Sequence, residues 1–254
     1  MSPMSFWQGA LVFLAGLVAG GINVVVGSGT LITFPVLLAV GYPPVVANVS
    51  NGIGLVSGSV SGAIGYREHL VGQRPRLLRM GAASLLGGVC GAVLLLVLPP
   101  GAFETIVPVL IAIALVLVIA QPWLARKLAE RQGERHPNGG VALLAAAFVV
   151  GIYGGYFGAA QGILLLGCMG ILLDESLHRI NAVKNVLAAL VNLSSGIVFV
   201  FVAHVAWWAV LLIAVSSTIG GVIGAKVGKK LPPTVLRGAI VLVGTIAILQ
   251  LLLK

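Results

Sequence analysis

Charge is scarce in this sequence, and negative charge is scarcest. Only 8% of the 254 residues are charged, and six of them are Asp or Glu. A soluble domain carries roughly a quarter of its residues as Asp, Glu, Lys or Arg, so no soluble surface can be built from this chain. Asp174, Glu175, Glu68 and Glu104 fall at loop positions. That speaks against a sodium site built on carboxylates, and it leaves a coupling proton without an obvious carrier. Histidine is as sparse: His69, His136, His178 and His204 are dispersed in or beside loops. With no HExxH, GxSxG or Walker loop, neither an enzyme nor a metal site or cofactor is expected. The two cysteines, Cys90 and Cys168, sit in separate apolar runs without a CxxC pair and read as small packing residues. The start, Met1 to Gln8, lacks a basic region, so the first apolar segment is expected to be retained rather than cleaved.

What the chain has is apolar length. Hydrophobic residues make up 59% of it, and the mean hydropathy is +1.13. Apolar segments run over 6–25, 30–41, 44–66, 76–98, 103–124, 141–157, 160–173, 178–203, 205–228 and 233–253. A full bilayer crossing needs ~20 residues. Several segments satisfy this alone; 30–41, 141–157 and 160–173 are short and read as tilted or broken crossings, or as arms of re-entrant hairpins. The reading is an all-α polytopic membrane protein embedded in a lipid bilayer.

The net charge of +9 is distributed by topology rather than as a nucleic-acid surface. Arg67, Arg74, Arg76 and Arg79 form one basic group. Arg126, Lys127, Arg131 and Arg135 form a second, and Lys226, Lys229, Lys230 and Arg237 a third. All lie in short connections between apolar segments, where the positive-inside rule puts them in the cytoplasm. Counting crossings from these loops places both termini outside, and no nucleic-acid partner is expected.

Residues 6–124 and 141–253 each hold five segments in the same order of short and long. Five is odd, so the second copy must be inverted relative to the first. The expected organisation is a first repeat over 1–124, a cytoplasmic linker over 125–140 and an inverted repeat over 141–254. Each repeat starts with broken or short helices. Ser50-Asn51 corresponds to Lys184-Asn185, and Ser61-Gly62 to Ser195-Gly196. Glycines four residues apart (Gly54, Gly58 and Gly62; Gly87 and Gly91; Gly220, Gly224 and Gly228) suit close helix packing in lipid.

Two polar interruptions stand in corresponding places of the halves. The first is Gly20 to Thr30, with Asn23, Gly27, Ser28, Gly29 and Thr30; the second is Gly154 to Gly162, with Tyr156, Gln161 and Gly162. Backbone that breaks helix inside a bilayer must line a cavity or be covered by protein. A helix opening near Ser28, capped by Ser28 or Thr30, and another opening at Gln161 would aim two positive dipole ends at one site, which favours an anion. The long helix after each break adds Asn48, Ser50 and Asn51, and Asn181, Lys184 and Asn185. Lys184 reads either as an anion contact or as a side chain snorkelling to the cytoplasmic face beside His178 and Arg179. Candidate binding residues are therefore Asn23, Gly27, Ser28, Gly29, Thr30, Ser50, Asn51, Tyr156, Gln161, Gly162, Lys184 and Asn185.

These residues resemble the sulfite exporter TauE/SafE family, also called the 4-toluene sulfonate uptake permease family. The resemblance rests on Asn23, Gly27-Ser28-Gly29, Pro35 and Ser50-Asn51 in the first half, and on Gly154-Gly155-Tyr156-Phe157-Gly158 in the second. The chain departs from the pattern at Ala159-Ala160-Gln161 and at Lys184. The resemblance implies a bacterial inner-membrane permease for small sulfur-containing anions such as sulfite or organosulfonates. A carboxylate carrier, an anion channel and a non-transporting scaffold are the alternatives. A proton as coupling ion and a homo-oligomer are both compatible with the sequence.

Overall fold

In the computed structural model the described residues are 4–130, 139–227, 238, 240–242 and 245–246. They are helical, with no strand among them. Nine α-helices follow in order: α1 Phe6–Val25, α2 Thr30–Ala39, α3 Pro44–Gly65, α4 Arg74–Val97, α5 Pro100–Glu130, α6 Gly140–Tyr156, α7 Gln161–Leu172, α8 Leu177–Val202 and α9 Trp207–Val227, with a single 3-10 turn at Arg67–Leu70. The helix starts are written locally. Ser5 and Gln8 form a reciprocal capping box at α1, and Pro44 opens α3, where its missing N–H costs nothing.

Five of these helices are long and apolar enough to cross a membrane: α1, α4, the 101–123 part of α5, α8 and α9. Helix α3 has 22 residues but carries Asn48, Ser50, Asn51, Ser57, Ser59 and Ser61, which make it less apolar. The core is apolar (Ile22, Phe34, Leu37 and Phe103 are buried), but unlike a soluble protein the exterior is apolar too. Ser59, Ser84, Ser216 and Ser217 are fully buried, whereas Trp7, Leu86, Val116, Phe201 and Trp208 are exposed. Cys90 also lies on this outer face, so it is not the packing residue expected of it; Cys168 is half-buried. Helix α5 continues through Pro122 to Glu130, into the stretch expected to be linker. The rest of that linker (131–138), most of the segment expected over 233–253, and Gly228 lie outside the described residues.

Helix α2 is a return arm. It has 10 residues, about 15 Å of helix. Its N-cap Gly29 lies against Ala19 and Asn23 of α1, and at its far end the Val40 carbonyl accepts from Gln8 Nε2 near the start of α1 (3.5 Å). Helices α6 and α7 make the second hairpin, where the Tyr153 hydroxyl donates to the Ala159 carbonyl and Gly154 lies under the Gln161 side chain.

Small residues set the packing and its direction. Gly9, Gly16 and Gly20 of α1 meet Leu212, Ser216 and Ser217 of α9 in ascending order, so the two helices run parallel. Gly54 and Gly58 of α3 meet Ile213 and Ser217 of α9, again parallel. Gly87 and Gly91 of α4 rest on Phe148 and Ile152 of α6, and Gly81 and Gly88 of α4 rest on Leu190 and Ser194 of α8, also parallel. Helices α3 and α8 oppose each other: Gly62 lies on Asn185, and Gly196 on Ile53. The approach is close throughout. A Cβ on Gly20 would sit 2.2 Å from the Ser217 carbonyl oxygen, so the spacing by four is occupied by neighbouring backbone.

Candidate functional site

The two hairpins touch at their tips. Residues 26–29 and 157–160 are the non-helical links, and Gly162 N donates to the Gly27 carbonyl at 3.0 Å, joining one tip to the other. Gly27 has φ +87°, a conformation that suits glycine, and a Cβ there would lie 2.5 Å from Gly162 Cα. Ala160 stands at φ 58°, left-handed without being glycine. Such strain persists where surrounding structure enforces it, and it clusters at functional sites. Ser28 and Gln161 flank the bridging bond in sequence, and both are buried.

Each α-helix that ends at a tip leaves carbonyls without helical partners, and the opposite half supplies the donors. Lys184 Nζ on α8 donates to the carbonyls of Asn23 (2.8 Å) and Val24 (3.0 Å) at the end of α1. Asn181 Nδ2 adds a bond to the same Val24 carbonyl at 3.2 Å. In the reverse sense, Asn48 Nδ2 on α3 donates to the Tyr156 carbonyl at the end of α6, at 2.9 Å. Lys184 is 1% exposed. It neither snorkels nor reaches solvent, because the α1 carbonyls present a negative dipole end that favours a cation.

The tip side chains form a polar layer. Asn23 Nδ2 donates to Ser59 Oγ (3.0 Å), and Asn23 Oδ1 accepts from Gly29 N at 3.5 Å. The expected cap from Ser28 or Thr30 is absent, since α2 has no side-chain cap and Asn23 reaches Gly29 instead. The Asn51 amide donates to Thr30 Oγ1 (3.2 Å) and accepts from the Thr33 hydroxyl. Thr33 was not foreseen; its spacing of three from Thr30, on an otherwise apolar short helix, was the available signal. Ser50 accepts from Ala206 N at the α8–α9 turn (2.9 Å), which occupies it away from the tips. Among the buried polar atoms without a hydrogen-bond partner, four potential donors belong to the candidate residues: Ser28 Oγ, Tyr156 OH, Gln161 Nε2 and Asn185 Nδ2; the acceptor Asn181 Oδ1 is another. An unsatisfied buried group costs about 1–3 kcal/mol, and three of these four are hydroxyls or amides of the tips themselves.

A second polar cluster joins the halves at one end of the bundle. Glu175 pairs with Arg76 at 3.0 Å and with Arg179 at 2.6 Å, and Arg179 donates to the Val71 carbonyl. The His69 and His178 rings stack beside it at 5.4 Å. Burial pushes the Glu175 carboxyl up, but hydrogen bonds from Arg179 and Arg76 outweigh it and hold the group below its ordinary value. The stabilisation is thus complete above the unfolded value of about 4.3 and is lost as pH falls through the lower folded value. Glu175→Gln is expected to cost about 1–3 kcal/mol, read as a lower Tm at neutral pH. The gap from wild type should close as pH is taken below about 4. An unchanged Tm would remove the cluster's role in joining the halves. No group of three or more His, Cys, Asp or Glu is placed to hold a metal among the described residues.

Against known families, residues 12–251 match the profile of the sulfite exporter TauE/SafE family. The chain belongs to the sulfite exporter TauE/SafE family. The TauE/SafE relatives it resembles are named as membrane transporters. One is the probable membrane transporter protein YfcA of Escherichia coli K12, 27% identical over 95% of this chain and 88% of that one. Another is the probable membrane transporter protein ORF9 of a Sinorhizobium species, 26% identical over 99% and 95%. A third, from Haemophilus influenzae, is 28% identical over 92% and 90%. No solved structure matches the chain significantly. As a TauE/SafE member it is placed among membrane transporters.

Proposed function

We propose that the chain is a secondary carrier of a small anion, with sulfur oxyanions such as sulfite or organosulfonates as the expected class, working by alternating access in a bacterial inner membrane. The observation that carries the reading is Lys184, a buried cation at the meeting point of two helix breaks. It pairs with carbonyl dipoles and with no carboxylate among the described residues. A buried charge without a counter-charge is costly, and an anionic cargo supplies one. Ser28 Oγ, Tyr156 OH, Gln161 Nε2 and Asn185 Nδ2 are further donors awaiting an acceptor. No catalytic constellation is proposed.

Packing directions support two inverted repeats. Exchanging each helix for its counterpart five places on turns the α1–α9 contact into α6–α4, and α3–α9 into α8–α4. Both members of each pair are parallel, while the counterparts α3 and α8 are antiparallel. The reciprocal caps, Asn48 on α6 and Lys184 with Asn181 on α1, obey the same exchange. Arg67, Arg74, Arg76, Arg79, Arg179 and Lys226 then share one end of the bundle, which the positive-inside rule makes cytoplasmic, with the N-terminus outside. Burial of Ser28, Thr30, Asn51, Gln161 and Asn185 supports an occluded site.

Reconstituted protein should show saturable anion uptake and trans-stimulated counterflow. Conductance without trans-stimulation would replace the carrier by a channel, and a thermal-shift panel blind to sulfite, thiosulfate, sulfonates and carboxylates would remove the anion. Asn51→Ala frees Thr30 and Thr33, and it is expected to weaken anion binding about tenfold, one charge-free hydrogen-bond set, with the protein still folded. Unchanged affinity would take Asn51 out of the site.

A further inference from the structure

We propose that Lys184 is a tethered substitute for a coupling cation: its ammonium fills a cation position at the α1 break, and the protein handles its anion without an alkali ion. The inference rests on the anion-carrier reading above.

The position is defined by backbone. At the α1 terminus the N–H groups of Val26 and Gly27 both go to the Ile22 carbonyl. That leaves the carbonyls of Asn23 and Val24 to Lys184 Nζ, with Asn181 Nδ2 sharing the second. Carbonyls at the C-terminal end of a broken helix are where carriers of inverted-repeat design coordinate sodium or a proton, because several oxygens and a negative dipole end converge there. Here an ammonium stands at 2.8 and 3.0 Å from two of them. Its stem is wedged against Gly162, where a Cβ would meet Lys184 Cδ at 3.0 Å. The charge is therefore held in place by the opposite hairpin tip, not merely near it.

The other half takes the opposite choice. The equivalent carbonyl, at Tyr156, accepts from the neutral Asn48 amide. The site therefore carries one fixed positive charge, and a monovalent anion bound beside it leaves the loaded core neutral. A free cation would add a second positive charge with no carboxylate among the described residues to hold it.

Purified protein in detergent tests this without a transport assay. Tm is measured in sodium, potassium, lithium and choline chloride at matched ionic strength, for wild type, Lys184→Ala and Lys184→Gln. Wild type is expected to be indifferent to the cation. Lys184→Ala, with its carbonyls vacated, should be destabilised in choline and recover by several degrees, saturably, in one alkali cation. Lys184→Gln, whose amide can donate to the same carbonyls, should recover little. A cation-selective rise in wild type overturns the proposal. So does a Lys184→Ala protein that ignores every cation or fails to fold in all of them, since a vacated cation site would be refilled. Anion thermal shifts on wild type separate the two readings. No anion response defeats the carrier reading whatever the cations do, whereas a normal anion response with a cation-blind alanine variant defeats only this proposal.

Discussion

Lys184→Gln is expected to weaken anion binding by roughly 30-fold or more while the protein stays folded. The substitution removes the charge and keeps an amide able to reach carbonyl oxygens, so the α1 terminus is not abandoned. What disappears is the desolvated charge that the carrier reading sets beside the anion. Truncating one member of such a pair costs about 2–5 kcal/mol, which is roughly 30- to several-thousand-fold in Kd. Lys184→Arg keeps the charge but replaces a point ammonium by a planar fork, and it should recover only part of the affinity. Isothermal titration with the anion that gives the largest thermal shift reads both variants. Wild-type affinity in Lys184→Gln would leave the lysine as a helix cap and nothing more.

Gly27→Ala is expected to abolish folded protein. Its Cβ would lie 2.5 Å from Gly162 Cα and 2.8 Å from the Gly162 carbonyl carbon, both backbone atoms that cannot rotate away. The left-handed φ of +87° adds strain of about 1 kcal/mol or more for a residue with a side chain. Gly41→Ala separates the two costs, since Gly41 has φ +100° and nothing within 4 Å of a Cβ. It should lose only the strain, about 1 kcal/mol, and remain monodisperse in size exclusion. If Gly27→Ala behaves like Gly41→Ala, the hairpin tips do not meet as described.

Much of this arrangement was legible in the residues. Helix α1 runs Phe6–Val25 as its apolar run suggests, and the glycine and polar interruptions fall at the two tips. Periodic small residues named the packing ridges correctly because only backbone neighbours need such spacing. Other features depended on tertiary structure. Nothing local to Lys184 says which way its stem points; the carbonyls that hold it are 160 and 161 residues away. Ser50 looked equivalent to Lys184 but spends its oxygen on the Ala206 amide, since the α8–α9 turn passes over it. Thr33 hides in an apolar run, and Asn51 makes it visible only once α2 folds back. Helix α5 runs past its expected end at residue 124 because the charged residues that follow continue the helix to Glu130.

The reciprocal caps have a consequence for how the protein is made. Asn23 leaves the ribosome 161 residues before Lys184, and at about 5–20 residues per second that is an interval of roughly 8–30 s. During it the first hairpin is complete in sequence but its α1 carbonyls have no donor, and unsatisfied backbone is not tolerated against lipid. The insertion machinery, or water held beside it, must shelter that hairpin until α8 arrives. Biogenesis therefore has a natural checkpoint: nascent chains halted before Lys184 should carry an open, protease-sensitive tip, and chains extended past α8 should carry a closed one.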